Sequence, residues 1–90
     1  MRTIEYTGAF KRDYKREKRT NLKLDEMLQP VIELLATDAV LAERLSDHAL
    51  SGDWKGFRDC HVRPDLLLIY EKTEGVLSLA RLGSHSEVFG

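Results

Sequence analysis

The sequence predicts a small α+β domain, a largely antiparallel sheet with two N-terminal helices packed on one of its faces. Three observations carry this. Leu24, Met27, Leu28, Val31, Leu34 and Leu35 recur at three- and four-residue spacing, the pattern of an amphipathic helix. Leu66 to Tyr70 is a continuous apolar run suited to a central strand. Thr73, Glu74 and Gly75 then make a tight turn into a second run, Val76 to Leu82, so the two read as a hairpin. Helices gathered before strands are the chain order of an α+β layer rather than of alternating βαβ units.

The elements follow in order. Thr3 to Tyr6 alternates β-branched or aromatic residues with polar ones and predicts a first strand. Thr7 is placed to cap a helix from Ala9 to Arg19, with Phe10 and Tyr14 on its buried stripe and Lys or Arg on its other faces. The second helix is expected from Leu22 to Thr37. Pro30 lies inside it, where a proline costs ~3 kcal/mol, so a kink or break is expected near Gln29. Asp38 to Leu45 adds at most one further turn before an irregular loop, Ser46 to Asp53, carrying His48. Trp54 to Val62 reads as a strand ended by Pro64, and Gly83 ends the last strand before a short tail, SHSEVFG.

At 90 residues there is room for one domain, residues 1–90, and one core. No apolar stretch approaches the ~20 residues of a membrane span, and the charged start MRTIEYTGAFKRDYKREKR lacks a signal sequence's apolar segment, so a cytoplasmic protein without membrane contact is expected. The single cysteine, Cys60, rules out an internal disulfide and a cysteine-rich zinc site. The formal net charge of −1 hides an uneven spread: +5 over residues 1–23, −5 over 24–50 and −1 over 51–90. The basic run Lys11, Arg12, Lys15, Arg16, Lys18 and Arg19 is either a solvated helix surface or a face that meets RNA phosphate.

The polar chemistry is concentrated in HALSGDWKGFRDCHVRPDLLLIY, residues 48–70. Residues two apart on a strand share a face, so Phe57, Asp59 and His61 project together, away from Arg58 and Cys60. An aspartate beside a histidine can hold the imidazole in one tautomer and favour its protonated form. Asp65 is expected to return close to His61 if the two strands pair, and His48 and His85 to converge on the same end of the sheet. No nucleophile elbow, Walker loop, dinucleotide fingerprint or HExxH motif is present, which leaves proton transfer as the chemistry on offer. The histidines and aspartates could also ligate a divalent metal, but they lack a recognisable metal spacing, and neither a metal nor another cofactor is expected.

The stretch DHALSGDWKGFRDCHVRPDLLLIY, residues 47–70, together with Ser84, His85, Val88, Phe89 and Gly90, resembles the YafQ branch of the RelE/ParE toxin superfamily. IEYTGAFKRDYK is similar to that family's first strand and basic helix, so the likeness spans the chain. It implies a RelE-like compact domain acting as the toxin of a type II toxin–antitoxin pair, an endoribonuclease that cuts mRNA in the ribosomal A site. Its partners would be the ribosome, mRNA and a cognate antitoxin; the free toxin would be monomeric and the inhibited complex hetero-oligomeric. The matching residues imply an acid and base cluster of His48, Asp59, His61, Asp65 and His85, without assigning which is base and which acid. Arg81 matches an arginine that the RelE group places by the scissile phosphate, and Phe89 would lie in the substrate site. RelE itself relies on lysine, arginine and tyrosine instead. Cleavage through the RNA 2′-hydroxyl needs a base, an acid and cationic donors, which two histidines and Arg81 can supply without a metal. Phe89 could stack on an A-site base or tuck into the core. A ParE-like gyrase inhibitor, a protein-binding module without nuclease chemistry, is the alternative, and it would not need clustered histidines.

Overall fold

The computed structural model describes residues 1–90. Five strands, β1 (Thr3–Tyr6), β2 (His48–Ala49), β3 (Arg58–Arg63), β4 (Leu66–Thr73) and β5 (Val76–Gly83), form one sheet in the order β1-β5-β4-β3-β2. Only the β1–β5 pair is parallel; the others are antiparallel. Helices α1 (Gly8–Thr20) and α2 (Leu24–Ala36) cover one face, where Phe10, Leu28, Ile32 and Leu35 pack on Cys60, Leu68, Tyr70, Leu77 and Leu79. On the opposite face Ile69, Ala80 and Val88 form a smaller cluster with Leu50, Trp54, Phe57 and Phe89.

Thr7 caps α1 as expected, its Oγ1 accepting from the Phe10 N–H at 3.1 Å. The break expected near Gln29 does not occur, for α2 runs through Pro30 unbroken. Six buried residues from Leu24 to Ala36 hold both halves of the helix to the core. At ~1.5–3 kcal/mol for each fully buried large side chain, they outweigh one interior proline. Pro30 is exposed, and its missing N–H leaves the Glu26 carbonyl without its helical donor. Pro30→Ala is therefore expected to stabilise the fold by ~2–2.6 kcal/mol, the ~3 kcal/mol proline cost less the ~0.4–1 kcal/mol lost by freeing the unfolded chain. A denaturant midpoint that stays put or falls would contradict this.

Three local expectations are corrected. Trp54 does not begin a strand: Gly52–Trp54 is a 3-10 turn, Gly56 has a φ of 94°, and β3 starts at Arg58. The aromatic residues that suggest a strand there instead pack on one another, Trp54 and Phe57 edge to face at 5.2 Å. His48 lies not in an irregular loop but on β2, where it pairs with Asp59. The tail is a third helix, α3 (His85–Phe89), closed by a capping box in which Ser84 accepts from the Glu87 N–H and Glu87 accepts from the Ser84 N–H. The further turn expected between Asp38 and Leu45 is a 3-10 turn, Glu43–Leu45.

β1 covers β5 only as far as Leu79, which leaves the edge at residues 80–83 unpaired by any strand. Side chains at the start and middle of α1 take the strand's place. Thr7 Oγ1 lies 2.9 Å from Leu79 O and 3.1 Å from Ala80 O, Asp13 accepts from the Leu82 N–H at 3.0 Å, and Arg16 donates to Leu82 O at 2.9 Å. Gly83 belongs to this arrangement, because a Cβ there would lie 2.7 Å from Arg16 Nη2 and 3.0 Å from Glu87 Oε1.

Candidate active site

The register lines up His48, Asp59, Ile69 and Arg81 as cross-strand neighbours from β2 to β5, so all four share the sheet face that α1 and α2 leave open. His61, two residues beyond Asp59, joins them, and His85 is the first residue of α3. His48 Nδ1 lies 2.8 Å from Ser46 O and 3.3 Å from Asp59 Oδ1. Both neighbours are acceptors, so Nδ1 carries the proton and a neutral ring presents its Nε2 lone pair outward. His61 Nε2 stands 4.0 Å from the same Asp59 oxygen.

Asp59 is only 2% exposed, and its Oδ1 has no hydrogen bond, since the His48 N–H is directed at Ser46 O. Burial pushes its carboxyl pKa up and Asp47 adds to this, while His48, His61 and His85 act in the opposite sense. The result is a carboxyl that takes up a proton more readily than an exposed one. Asp47 is a residue that motif reasoning leaves without a task. It accepts from the Tyr70 hydroxyl and from Arg58 Nε and Nη2, each at 3.3 Å, and so ties the segment carrying His48 to β3 and β4.

Phe89 is half-buried. Its ring lies 5.0 Å from His85 and meets Trp54 edge to face at 6.2 Å, so it both packs and faces the cluster. Arg81 is tied to α1: its Nε donates to Asp13 Oδ2 at 2.6 Å. Asp65 does not return to His61. It sits exposed in the β3–β4 turn, has no cationic side chain or histidine within 4.0 Å, and lines a polar hollow with Glu17, Asn21, Arg63, Ser84 and Glu87. A bulge between His61 and Arg63 precedes that turn and breaks the two-residue alternation that would have aimed Asp65 at the histidines.

The basic helix is divided. Arg16 is spent on Asp13, Glu17 and Glu87, and Lys18 on Asp25, whereas Lys11, Arg12, Lys15 and Arg19 make no ion pair. Cys60 is fully buried, with a thiol pKa pushed up to about 12 by burial and by Asp47 and Asp59, so it is no nucleophile. No group of three or more His, Cys, Asp or Glu side chains is arranged to hold a metal ion.

The family described as a bacterial toxin of type II toxin–antitoxin system, YafQ, matches residues 2–90. The chain belongs to the YafQ toxin family. It is 36% identical over 90 residues to the mRNA interferase toxin YafQ of Escherichia coli K12, covering 100% of this chain and 98% of that one. The putative toxin YafQ of Haemophilus influenzae is 34% identical, with coverage of 93% and 88%. YafQ in the E. coli DinJ–YafQ complex superposes with a TM-score of 0.89 at 37% identity, covering 100% of both chains. A metal-bound toxin from Helicobacter pylori superposes with a TM-score of 0.92 at 43% identity, covering 99% of this chain and 100% of that one. The α+β fold with its mostly antiparallel sheet is thus the YafQ fold, and no helix is long and apolar enough to cross a membrane.

Proposed function

We propose that this YafQ-family toxin is a ribosome-dependent endoribonuclease that cuts mRNA in the A site by acid and base catalysis, with the RNA 2′-hydroxyl as nucleophile and no metal. The observation that carries the reading is the set of His48, His61 and His85 around the buried carboxylate of Asp59. A gyrase inhibitor would leave that cluster without a task. The E. coli relative, an mRNA interferase toxin, points to the same substrate.

The 2′-oxygen attacks the adjacent phosphorus, its proton passes to a base, and the 5′-oxygen leaves with a proton from an acid, giving a 2′,3′-cyclic phosphate. The outward Nε2 of His48 suits the base, and His61 or His85 the acid. Arg81 faces the phosphate and Phe89 stacks on a base of the mRNA. Asp65 has no part in the chemical step so built. Lys11, Arg12, Lys15 and Arg19 are the cations of α1 left to meet ribosomal phosphate. A cognate antitoxin restrains the monomeric toxin in a hetero-oligomer, as DinJ partners YafQ in E. coli.

Purified ribosomes carrying a defined A-site codon test this. Cleavage should need the ribosome, leave a 2′,3′-cyclic phosphate and persist when a chelator selective for transition metals removes zinc and copper but leaves the ribosome its Mg²⁺. Loss of cutting in that chelator, or equal cutting of naked RNA, would overturn the mechanism.

A further inference from the structure

We propose that Asp13, on the middle of the basic helix, is a positioning residue that holds the Arg81 guanidinium in the orientation the scissile phosphate needs. The inference rests on the ribonuclease reading above and on the place it assigns to Arg81.

Asp13 is an acid buried to 4% exposure on a helix whose surroundings in sequence are basic. A buried carboxylate without partners would be costly, and this one has four donors from three residues. Arg81 Nε donates to its Oδ2 at 2.6 Å and Arg81 Nη2 to its Oδ1 at 3.3 Å; the Leu82 N–H adds a bond at 3.0 Å and Arg16 Nη1 one at 2.9 Å. Burial alone would raise its pKa, but the Arg81, Leu82 and Arg16 bonds together outweigh this and hold it below the usual carboxylate range. It is therefore ionised wherever the toxin is folded and working.

The fork decides what Arg81 can still do. An arginine has five N–H donors. Nε is given to Asp13, and Nη2 divides its two between Asp13 and Glu87 O at 3.3 Å. Nη1 alone has no partner in the protein, so the guanidinium is clamped along one side and offers one pair of donors to a ligand. The clamp reaches α3 as well. Arg16, which shares Asp13, pairs with Glu87 at 3.2 Å, and Glu87 caps the helix that carries His85 and Phe89. Asp13 thereby sets Arg81 and α3 on one frame. What it supplies is direction rather than charge, since its own charge opposes a phosphate.

The test is a double-mutant cycle in single-turnover cleavage on programmed ribosomes. Asp13→Asn should lower the rate ~10- to 100-fold with ribosome affinity within about twofold, and should add less than about twofold in an Arg81→Ala background. A merely structural acid would lower the rate by the same factor in both backgrounds, which would overturn the proposal. Arg81→Lys leaves the buried acid in place, so it guards against an unfolded Asp13→Asn chain. Lysine keeps the charge but not the fork, so cleavage should fall at least ~10-fold, and a wild-type rate would refute the need for orientation. The Arg81 Nε–H resonance gives a readout independent of activity: slow to exchange in the wild type, and fast in Asp13→Asn. If the wild-type chain cuts no mRNA while that resonance is protected, the ribonuclease reading fails and takes this proposal with it. Unchanged cutting by Asp13→Asn where Arg81→Ala is inactive removes the proposal alone.

Discussion

His85→Ala and His61→Ala are each expected to cut mRNA on the ribosome ~10²-fold more slowly than the wild type while folding normally. The size follows from what a positioned proton donor or acceptor contributes, and the tolerance from where the rings lie. His85 is exposed at the start of α3, where Ser84 and Glu87 make the cap without it. Its main neighbour is the Phe89 ring, which Trp54 also supports. His61 is only part-buried, and Cys60 and Val62 on either side of it supply the core contacts of β3. Single-turnover rates, with thermal unfolding and antitoxin binding as controls, check both variants. Full cleavage by a folded His85→Ala chain would remove that ring from the chemistry.

Asp59→Asn should separate stability from activity. The native carboxyl holds its proton more tightly than in the unfolded chain, chiefly because it is buried. A raised carboxyl pKa means that stability is lost as pH climbs through the folded value, so at neutral pH the fold carries a desolvated charge with one oxygen unbonded. Removing that charge should stabilise the protein at pH 7 by on the order of 1 kcal/mol, the low end of the cost of a buried unsatisfied group. The gain should shrink as the pH is lowered and the native group takes up its proton. Cleavage should fall ~10-fold or more, because the histidines lose the anion that lies 3.3 Å from His48 Nδ1 and 4.0 Å from His61 Nε2. Urea midpoints at pH 7 and pH 4 beside cleavage rates decide the matter. A less stable variant at pH 7 would mean that attraction from the histidines exceeds the desolvation cost.

Much of this was legible in the residues. Period-3.6 spacing places α2, the apolar run places β4, and two-residue alternation puts Asp59 and His61 on one face, because each signal is local. What was not legible depends on remote neighbours. Two-residue β2 exists only through its pairing with Arg58 and Asp59, so His48 reads as a loop residue until β3 is beside it. Asp13 looks like one acid among many charges, and its burial is set by a strand edge 69 residues away. Trp54 misleads because aromatic residues favour strands and small clusters alike. The helix at residues 85–89 is different: Ser84 followed three residues later by Glu87 is a capping box in the sequence itself, so its signal was present there.

The pairing of the first strand with the last has a consequence for how the toxin comes into being. Thr3 to Tyr6 find their partners only in Val76 to Leu79, and the Thr3 N–H bonds to Gly75 O. Contacts so far apart in sequence form late, after the chain between them has been gathered in. His85 and Phe89 are made later still. A nascent chain can build its two long helices early, yet it has neither a closed sheet nor a third histidine until residues 76–89 have been synthesised and laid against 3–6. On the mechanism proposed above, fragments from interrupted translation should be unable to cut, and the cell that makes this toxin should meet its activity all at once.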